Sequence, residues 1–538
     1  MKTFFTLLAG LVILNASVAV GQTVVGSLDT TYGQGGKVET YFNGISGANA
    51  EALQSDGKIV VTGYSYDSSK DVFTTIRYNT DGSVDTDFAV EGSDTISFSN
   101  GNNIATSIAV QKNGKIIVAG YAAKRIAKND SVVKSYLIRF NTNGSIDSTF
   151  GTNGIAIDSI GRIDNRIYGI SIQPDGKIVA AGSTVIKGST QNIEVLRYDS
   201  TGVPDVSFND SGSVTTMVGT NSYARAITIQ KDNKLVVTGT GHIGGYDYFS
   251  VARYDTNGVL DGTFGTGGIV SASAFYADEP YAIVLQNDTN IIVGGYAYIR
   301  GTKQNVFALA KFNKAGVLDT SFGVFSTRTI ITPGAIDDEV RGLAVDSNGK
   351  LLVAGFTENS DLQYEDVLAR YNTGGVNDST CLPDSTFGSD TTETFTTFGL
   401  ANSYANAILI QHNDNIVLAG YALVGSKGLF TLARYLIDTI HVSTSGIDFV
   451  TGNNSMRVYP NPIQREALLS YSLNHDETVT IKVYDVLGRT VQTIMANKSQ
   501  TAGNYTESLN VAALPPGIYF INLSNSLSQN LSIKIVKQ

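Results

Sequence analysis

The chain has 538 residues, 42% of them apolar, with 38 cationic and 48 anionic side chains and a net charge of −10. That length supports more than one buried core, and an acidic balance without a basic run gives a nucleic-acid partner no electrostatic footing. Cys381 is the only cysteine, so no disulfide forms within the chain and stability must come from packing.

The N-terminus reads as a secretory signal over residues 1–21. Lys2 supplies the positive start, Phe4 to Leu14 the apolar stretch, and small residues allow cleavage after Ala19 or Gly21. The segment is too short for a membrane anchor, and no other stretch is long enough to span a bilayer. No cysteine directly follows the cleavage region, which argues against a lipid anchor.

From there the chain is paced by repeats. A Gln or Asp heads a turn and an apolar run at Gln54, Gln111, Gln173, Gln230, Gln286, Asp346 and Gln411. Nine residues on, each run closes on glycine: Gly63, Gly120, Gly182, Gly239, Gly295, Gly355 and Gly420. Units of this length, rich in short alternating strands, predict propeller blades. In the first unit the expected strands are 37–42, 48–53, 58–64 and 72–79, with Asp56-Gly57 as a tight hairpin turn. Asn113-Gly114, Asp175-Gly176 and Asn348-Gly349 repeat that turn, and Asp232-Asn233, Asp288-Thr289 and Asp414-Asn415 are weaker versions.

A cation-aromatic pair ends a later strand in every unit, headed by Arg77, Arg139, Arg197, Arg253, Lys311, Arg370 and Arg434. An Asp-x-x-aromatic block follows at Asp85, Asp147, Asp205, Asp261, Asp319 and Asp384, whereas the remaining block begins at Asp29, near the mature N-terminus. The last unit therefore lacks its tail and the first residues carry it. Residues 24–42 are predicted to complete the sheet begun by residues 404–435, closing a ring that leaves no open edge. The fold expected is all-β: a seven-bladed β-propeller over residues 22–440, closed by the N-terminal segment.

These blocks, as in Gln173 to Gly182, Arg77 to Gly82 and Leu260 to Gly265, resemble the delta-60 repeat family over residues 26–435. The resemblance implies a β-propeller and no agreed activity.

Residues 441–456 read as a Thr/Ser/Gly-rich linker. Beyond it, strand patterns at 467–473, 479–485, 490–495, 503–510, 517–524 and 531–537 predict a small Ig-like β-sandwich over 457–538. Tyr459-Pro460-Asn461-Pro462, the run containing Tyr484, Asp485, Gly488 and Arg489, and the later Gly517 and Tyr519 resemble the C-terminal sorting domain of the type IX secretion system of Bacteroidetes. The resemblance implies that the secretion machinery is a partner, and that the protein is released or attached at the outer cell surface.

The recurring cation and aspartate are expected to pair inside each unit, with Arg434 meeting Asp29 across the closure. Turns such as Asp255 to Asp261 are faintly calcium-like but lack the later bidentate glutamate. Asx turns explain them, so no cofactor is expected and calcium stays a minor alternative. The candidate binding residues are Tyr64, Tyr121, Tyr296 and Tyr421, which follow the closing glycines, and His242 in a Gly-rich loop. Because loops on a rigid frame carry specificity, the leading reading is a secreted or cell-surface protein that binds a glycan or another protein. The alternatives are an exported carbohydrate-active hydrolase or lyase with carboxylates near the central opening, and a structural surface component. The regular repeats are expected to hold no uniquely charged cluster.

Overall fold

The computed structural model describes residues 25–537, apart from 43, 128–129, 159–161, 187–189, 273–276, 302, 321, 323–328, 332–336, 360, 373–381, 385, 389–392, 400–401, 426, 438–446, 452–453, 460–462, 464, 474–475, 486–488, 502 and 526–529. The signal segment 1–21, Cys381, Pro460, Asn461, Pro462 and Gly488 lie outside the described residues. Among the described residues there is no helix, and two compact units fall within Val24–Asp438 and Thr439–Gln538.

The repeats fold from their turns outward. Gly57, Gly114, Gly176 and Gly349 take positive φ at the hairpin corners, and Asn233, Asp288 and Asp414 do so where glycine is missing. Asn and Asp reach this left-handed region at less strain than other side chains. Each hairpin then joins an inner strand to its outward neighbour. In the first unit, Ser46–Leu53, Ile59–Tyr66, Asp71–Tyr78 and Ser93–Ile96 make a four-stranded antiparallel sheet. The fourth strand is thus the short one after Glu91-Gly92, not residues 37–42 as expected for that unit. Strand Lys37–Tyr41 pairs instead with Lys427–Tyr435, in register from Lys37 opposite Ala433 to Tyr41 opposite Leu429.

Asn103–Val110, Arg162–Ile172, Ser222–Ile229, Asp278–Gln286, Asp338–Val345 and Asn402–Ile410 are the inner strands of the later units. Each packs against the next along the chain, and Asn402–Ile410 packs against Ser46–Leu53. The core lies between adjacent sheets. Val60, Phe73 and Phe88 of one sheet meet Ile116, Val118, Ile138 and Phe140 of the next, all buried. Tyr32, Ile59, Val61 and Ile76 pack likewise with Val417, Phe430 and Leu432, from opposite ends of the unit. Burying each such side chain is worth about 1.5–3 kcal/mol.

One irregularity recurs in every inner strand. The pairing skips a residue between Ala48 and Ala50, Ala105 and Ser107, Ile167 and Gly169, Ala224 and Ala226, Pro280 and Ala282, Val340 and Gly342, and Ala405 and Ala407. Each skip is a β-bulge, which bends its strand and re-aims the extra side chain. Directly across from each bulge stands the closing glycine of the repeat. A Cβ on Gly63 would run into the carbonyl oxygen of Gly47, one on Gly239 into that of Tyr223, and one on Gly355 into that of Glu339. Close backbone approach, not turn geometry, explains why glycine ends the motif.

In the C-terminal unit, Ile447–Thr451, Asn454–Tyr459, Glu466–Leu473 and Gly503–Asn510 form one sheet, and Thr490–Gln500, Glu477–Asp485, Gly517–Asn525 and Asn530–Lys537 another. Val458, Leu469 and Leu509 of the first share a buried core with Ile481, Val483, Ile521 and Ile533 of the second. The first two strands begin inside the stretch 441–456 expected as linker, because Ile447-Asp448-Phe449-Val450 can pair across a short turn with Met456-Arg457-Val458.

Replacing Gly239 with Ala is expected to lower stability by about 1–3 kcal/mol or more, read as a shift in the urea midpoint, since neither strand can retreat from a packed sheet. Gly262→Ala, where a Cβ meets nothing within 4 Å, is expected to stay within about 0.5 kcal/mol of the parent.

Candidate functional site

The cation and aspartate of each repeat come together. Nε of Arg77, Arg139, Arg197, Arg253 and Arg370 lies 2.6–2.8 Å from Oδ2 of Asp85, Asp147, Asp205, Asp261 and Asp384. Lys311 Nζ is 3.2 Å from Asp319, and Arg434 Nη2 is 2.8 Å from Asp29 across the chain ends. The sequence pattern did not show that each arginine also reaches the following unit. Arg77, Arg197 and Arg434 donate through Nη1 to the carbonyls of Thr142, Thr256 and Thr80 at 2.5–2.6 Å. Reasoning from pairs also missed a second cation. Lys58, Lys115, Lys177, Lys234 and Lys350, the lysines after the hairpin turns, sit 2.5–2.9 Å from the same aspartates. These groups are bound to one another. The turn aspartates are similarly occupied: Asp255 Oδ1 accepts from the amides of Asn257 and Val259 at 2.8 and 2.9 Å. Among the described residues no cluster of three or more acidic, His or Cys side chains is arranged to hold a metal ion.

His242 lies 2.8 Å from Asp247 on a half-exposed hairpin. The candidate tyrosines behave differently. They gather around the bulged inner strands, whose extra residues are Asn49, Thr106, Tyr168, Arg225, Tyr281, Arg341 and Asn406. With Tyr121 and Ile104, these residues line a cavity of about 260 Å³ to which every inner strand contributes.

The set is asymmetric. Asn49, Thr106 and Asn406 donate to the carbonyls of Ala105, Ile167 and Ala48 on the neighbouring inner strands at 2.7–2.9 Å. The other four belong to a continuous arc of rings and guanidinium groups. Tyr421 stacks on Tyr404 at 4.7 Å, and Tyr404 meets Phe356 at 4.9 Å. Arg341 bridges Phe356 and Tyr281 at 5.4 and 3.8 Å, and Arg225 bridges Tyr281 and Tyr168 at 5.2 and 4.7 Å. Tyr121 stands 6.0 Å from Tyr168 and 5.0 Å from Arg166. Tyr64 packs beside Gly47 at the other end of the arc. The sequence expectation of no unique charged cluster is therefore corrected. Charge enters at single bulge positions, Arg225 and Arg341, that lie two repeats apart in the chain, a spacing at which one-dimensional patterning shows nothing.

Each cation of the arc has its own carboxylate. Arg225 pairs with Glu279, Arg341 with Glu339, and Arg166 with Asp164 at 2.8 Å. Burial pushes the Glu279 carboxyl up, but Arg225 and the hydroxyls of Tyr296 and Tyr223 outweigh it and hold the group below the ordinary range. Burial dominates at Glu339 and, with Asp337 nearby, raises it despite Arg341. Burial also lifts Tyr121, Tyr223, Tyr281 and Tyr296 above the usual phenol value, and Tyr404 is raised to about 12. At neutral pH these phenols stay protonated, as donors rather than bases.

Residues 54–88, 111–150, 173–208, 230–264, 286–322 and 347–380 match the family described as domain of unknown function (DUF5122) beta-propeller, and residues 457–538 match the secretion system C-terminal sorting domain. The chain carries a DUF5122 β-propeller region within residues 54–380 and a C-terminal sorting domain. That domain marks the protein for type IX export and a secreted or cell-surface location, and among the described residues no helix is long and apolar enough to cross a membrane. No curated protein matches the chain. Similar solved structures include the polysaccharide lyase Uly1, at 12% identity over 72% of this chain and 90% of that one, with a TM-score of 0.42. Others are the β-propeller domain of the Trilobed protease from Pyrococcus furiosus, at 9% over 75% and 99%, TM-score 0.37, and a PL25 ulvan lyase bound to -[GlcA(1-4)Rha3S]-, at 14% over 67% and 88%, TM-score 0.34. Likeness of this order carries no inference about activity.

For the repeat aspartates, burial favours the neutral acid, but hydrogen bonds from Lys, Ser or Thr together with the arginine outweigh it. Asp29, Asp85, Asp147, Asp205, Asp261 and Asp384 are all held below the usual 3.8. A carboxyl lowered by folding contributes stability above its unfolded value and loses it as pH falls toward the folded one. The urea midpoint is therefore expected to drop steeply as pH falls below about 4. Asp29→Ala strands Arg434 and is expected to cost about 3–5 kcal/mol at neutral pH, while Arg489→Ala, on an exposed pair, is expected to cost under about 1 kcal/mol.

Proposed function

We propose that residues 22–440, after loss of a signal peptide over 1–21, form a seven-bladed propeller closed by residues 24–42, and that this ring is a binding module. Its ligand, a glycan or a protein, is held at the axial cavity, while the repeat Arg–Asp pairs serve only to join blade to blade. Pairing of Lys37–Tyr41 with the last unit and packing of its inner strand on the first support the closed ring. Residues 457–538, the larger part of an Ig-like sandwich whose first sheet starts near Ile447, carry the ring to the outer surface through contact with the type IX machinery.

One observation carries the binding reading. In a frame where glycines and ion pairs recur unit by unit, the residue at the bulge differs between units, and the different ones converge on one cavity. A frame under structural constraint alone has no reason to place Tyr168, Arg225, Tyr281 and Arg341 side by side facing a hollow. The exported hydrolase or lyase is less well supported: Glu279 and Glu339 are each committed to an arginine, and the phenols are poor bases. A purely structural surface component leaves the cavity unexplained.

Capture screens with the mature chain, on glycan arrays and surface-protein extracts, test the reading. The double variant Tyr168→Ala/Tyr281→Ala is expected to bind any ligand so found at least about tenfold more weakly. Equal capture by parent and variant, with matching melting curves, would sink it.

A further inference from the structure

The charge balance of the cavity narrows the ligand further, on the assumption that the cavity is the binding site. Three guanidinium groups stand at the arc, and each already faces a carboxylate: Arg166 with Asp164, Arg225 with Glu279, Arg341 with Glu339. Asp337, whose Oδ2 accepts from the Tyr364 hydroxyl at 3.0 Å, adds a further acid. A uronate or sulfate entering here would find each cation already facing a carboxylate. It would meet the repulsion of that carboxylate, and displacing the carboxylate would leave its charge stranded. The protein as a whole, at −10, offers no compensating attraction.

Two polar atoms at the arc remain unsatisfied. Arg341 Nε, a donor, and Asp337 Oδ1, an acceptor, are buried and have no hydrogen-bond partner among the described residues. A sugar hydroxyl can accept from the first kind and donate to the second. Around them stand protonated phenols, themselves donors and acceptors, and ring faces on which the C–H face of a sugar can lie. The cavity, about 260 Å³, is at the small end for organic ligands and suits one or two sugar units rather than a broad protein surface. Apart from Ile104 its lining lacks the aliphatic anchors on which a protein partner would bury its core.

We propose that the axial cavity binds an uncharged polysaccharide, by an exposed sugar whose hydroxyls meet the Arg341 guanidinium and the surrounding phenols and whose ring packs on the Tyr168–Tyr281 arc.

The test is affinity electrophoresis of the mature chain through gels carrying dextran, xylan, laminarin or galactomannan, and in parallel polygalacturonate, alginate or a sulfated galactan. Retention by at least one uncharged polymer is expected. Its apparent affinity should change less than about twofold between about 0.05 and about 0.5 M NaCl, since screening acts on charge. Tyr281→Ala and Arg341→Gln should each abolish that retention, while Tyr281→Phe, which keeps the ring, should retain part of it. Retention confined to the acidic polymers, or by none of the polymers, overturns the proposal. If an acidic polymer is held and Tyr281→Ala releases it, the cavity stands as the site and only the ligand class fails. If an uncharged polymer is held equally by parent and by Tyr281→Ala, with melting curves alike, the cavity itself is not the site.

Discussion

The whole propeller unit turns on one close approach: the backbone carbonyl beside each inner-strand bulge lies where a Cβ of the facing strand would be. Only glycine leaves that space. Because the closing residue of every repeat is glycine, each inner strand can carry one residue more than its partner and bend around it. A rule of packing thus creates a position whose side chain packing does not dictate.

Around that position the frame is held by charge-assisted contacts that run in one direction. Each arginine lies over the phenylalanine or tyrosine of its own block, at 4.6 Å for Arg77 on Phe88 and 4.2 Å for Arg434 on Tyr32, and reaches a carbonyl in the unit after it. Such pairs hold geometry more than they add net stability, since dehydrating the charges offsets most of their attraction. What they secure is the angle between neighbouring sheets. At the chain ends the same contact joins residues 405 apart in sequence, so the last unit depends on residues made first. The rigidity matters to the cavity, because a ligand met by residues from many strands is bound well only if those strands do not shift.

Frame and address are separate. The C-terminal unit has its own two sheets and its own buried core, and its matched sorting signature says where the protein goes. The units differ most at the bulges, where Asn49, Thr106 and Asn406 tie strands together and the tyrosines and arginines line the cavity instead.

The architecture was legible in one dimension because strand alternation, Asp-Gly corners and recurring glycines are local or periodic, and backbone sterics read them in the same way everywhere. The orphaned Asp29 block likewise pointed to Arg434, since a missing piece of a repeat has only one place to belong. The tyrosines at 64, 121, 296 and 421 were visible as a repeat position. Their convergence with Tyr168, Arg225, Tyr281 and Arg341 was not. Those residues occupy different units, share no motif, and look like ordinary members of alternating strands. Only tertiary structure decides that site, because the displacement of one residue per strand depends on a facing backbone, and the meeting of the strands depends on how the units pack on one another.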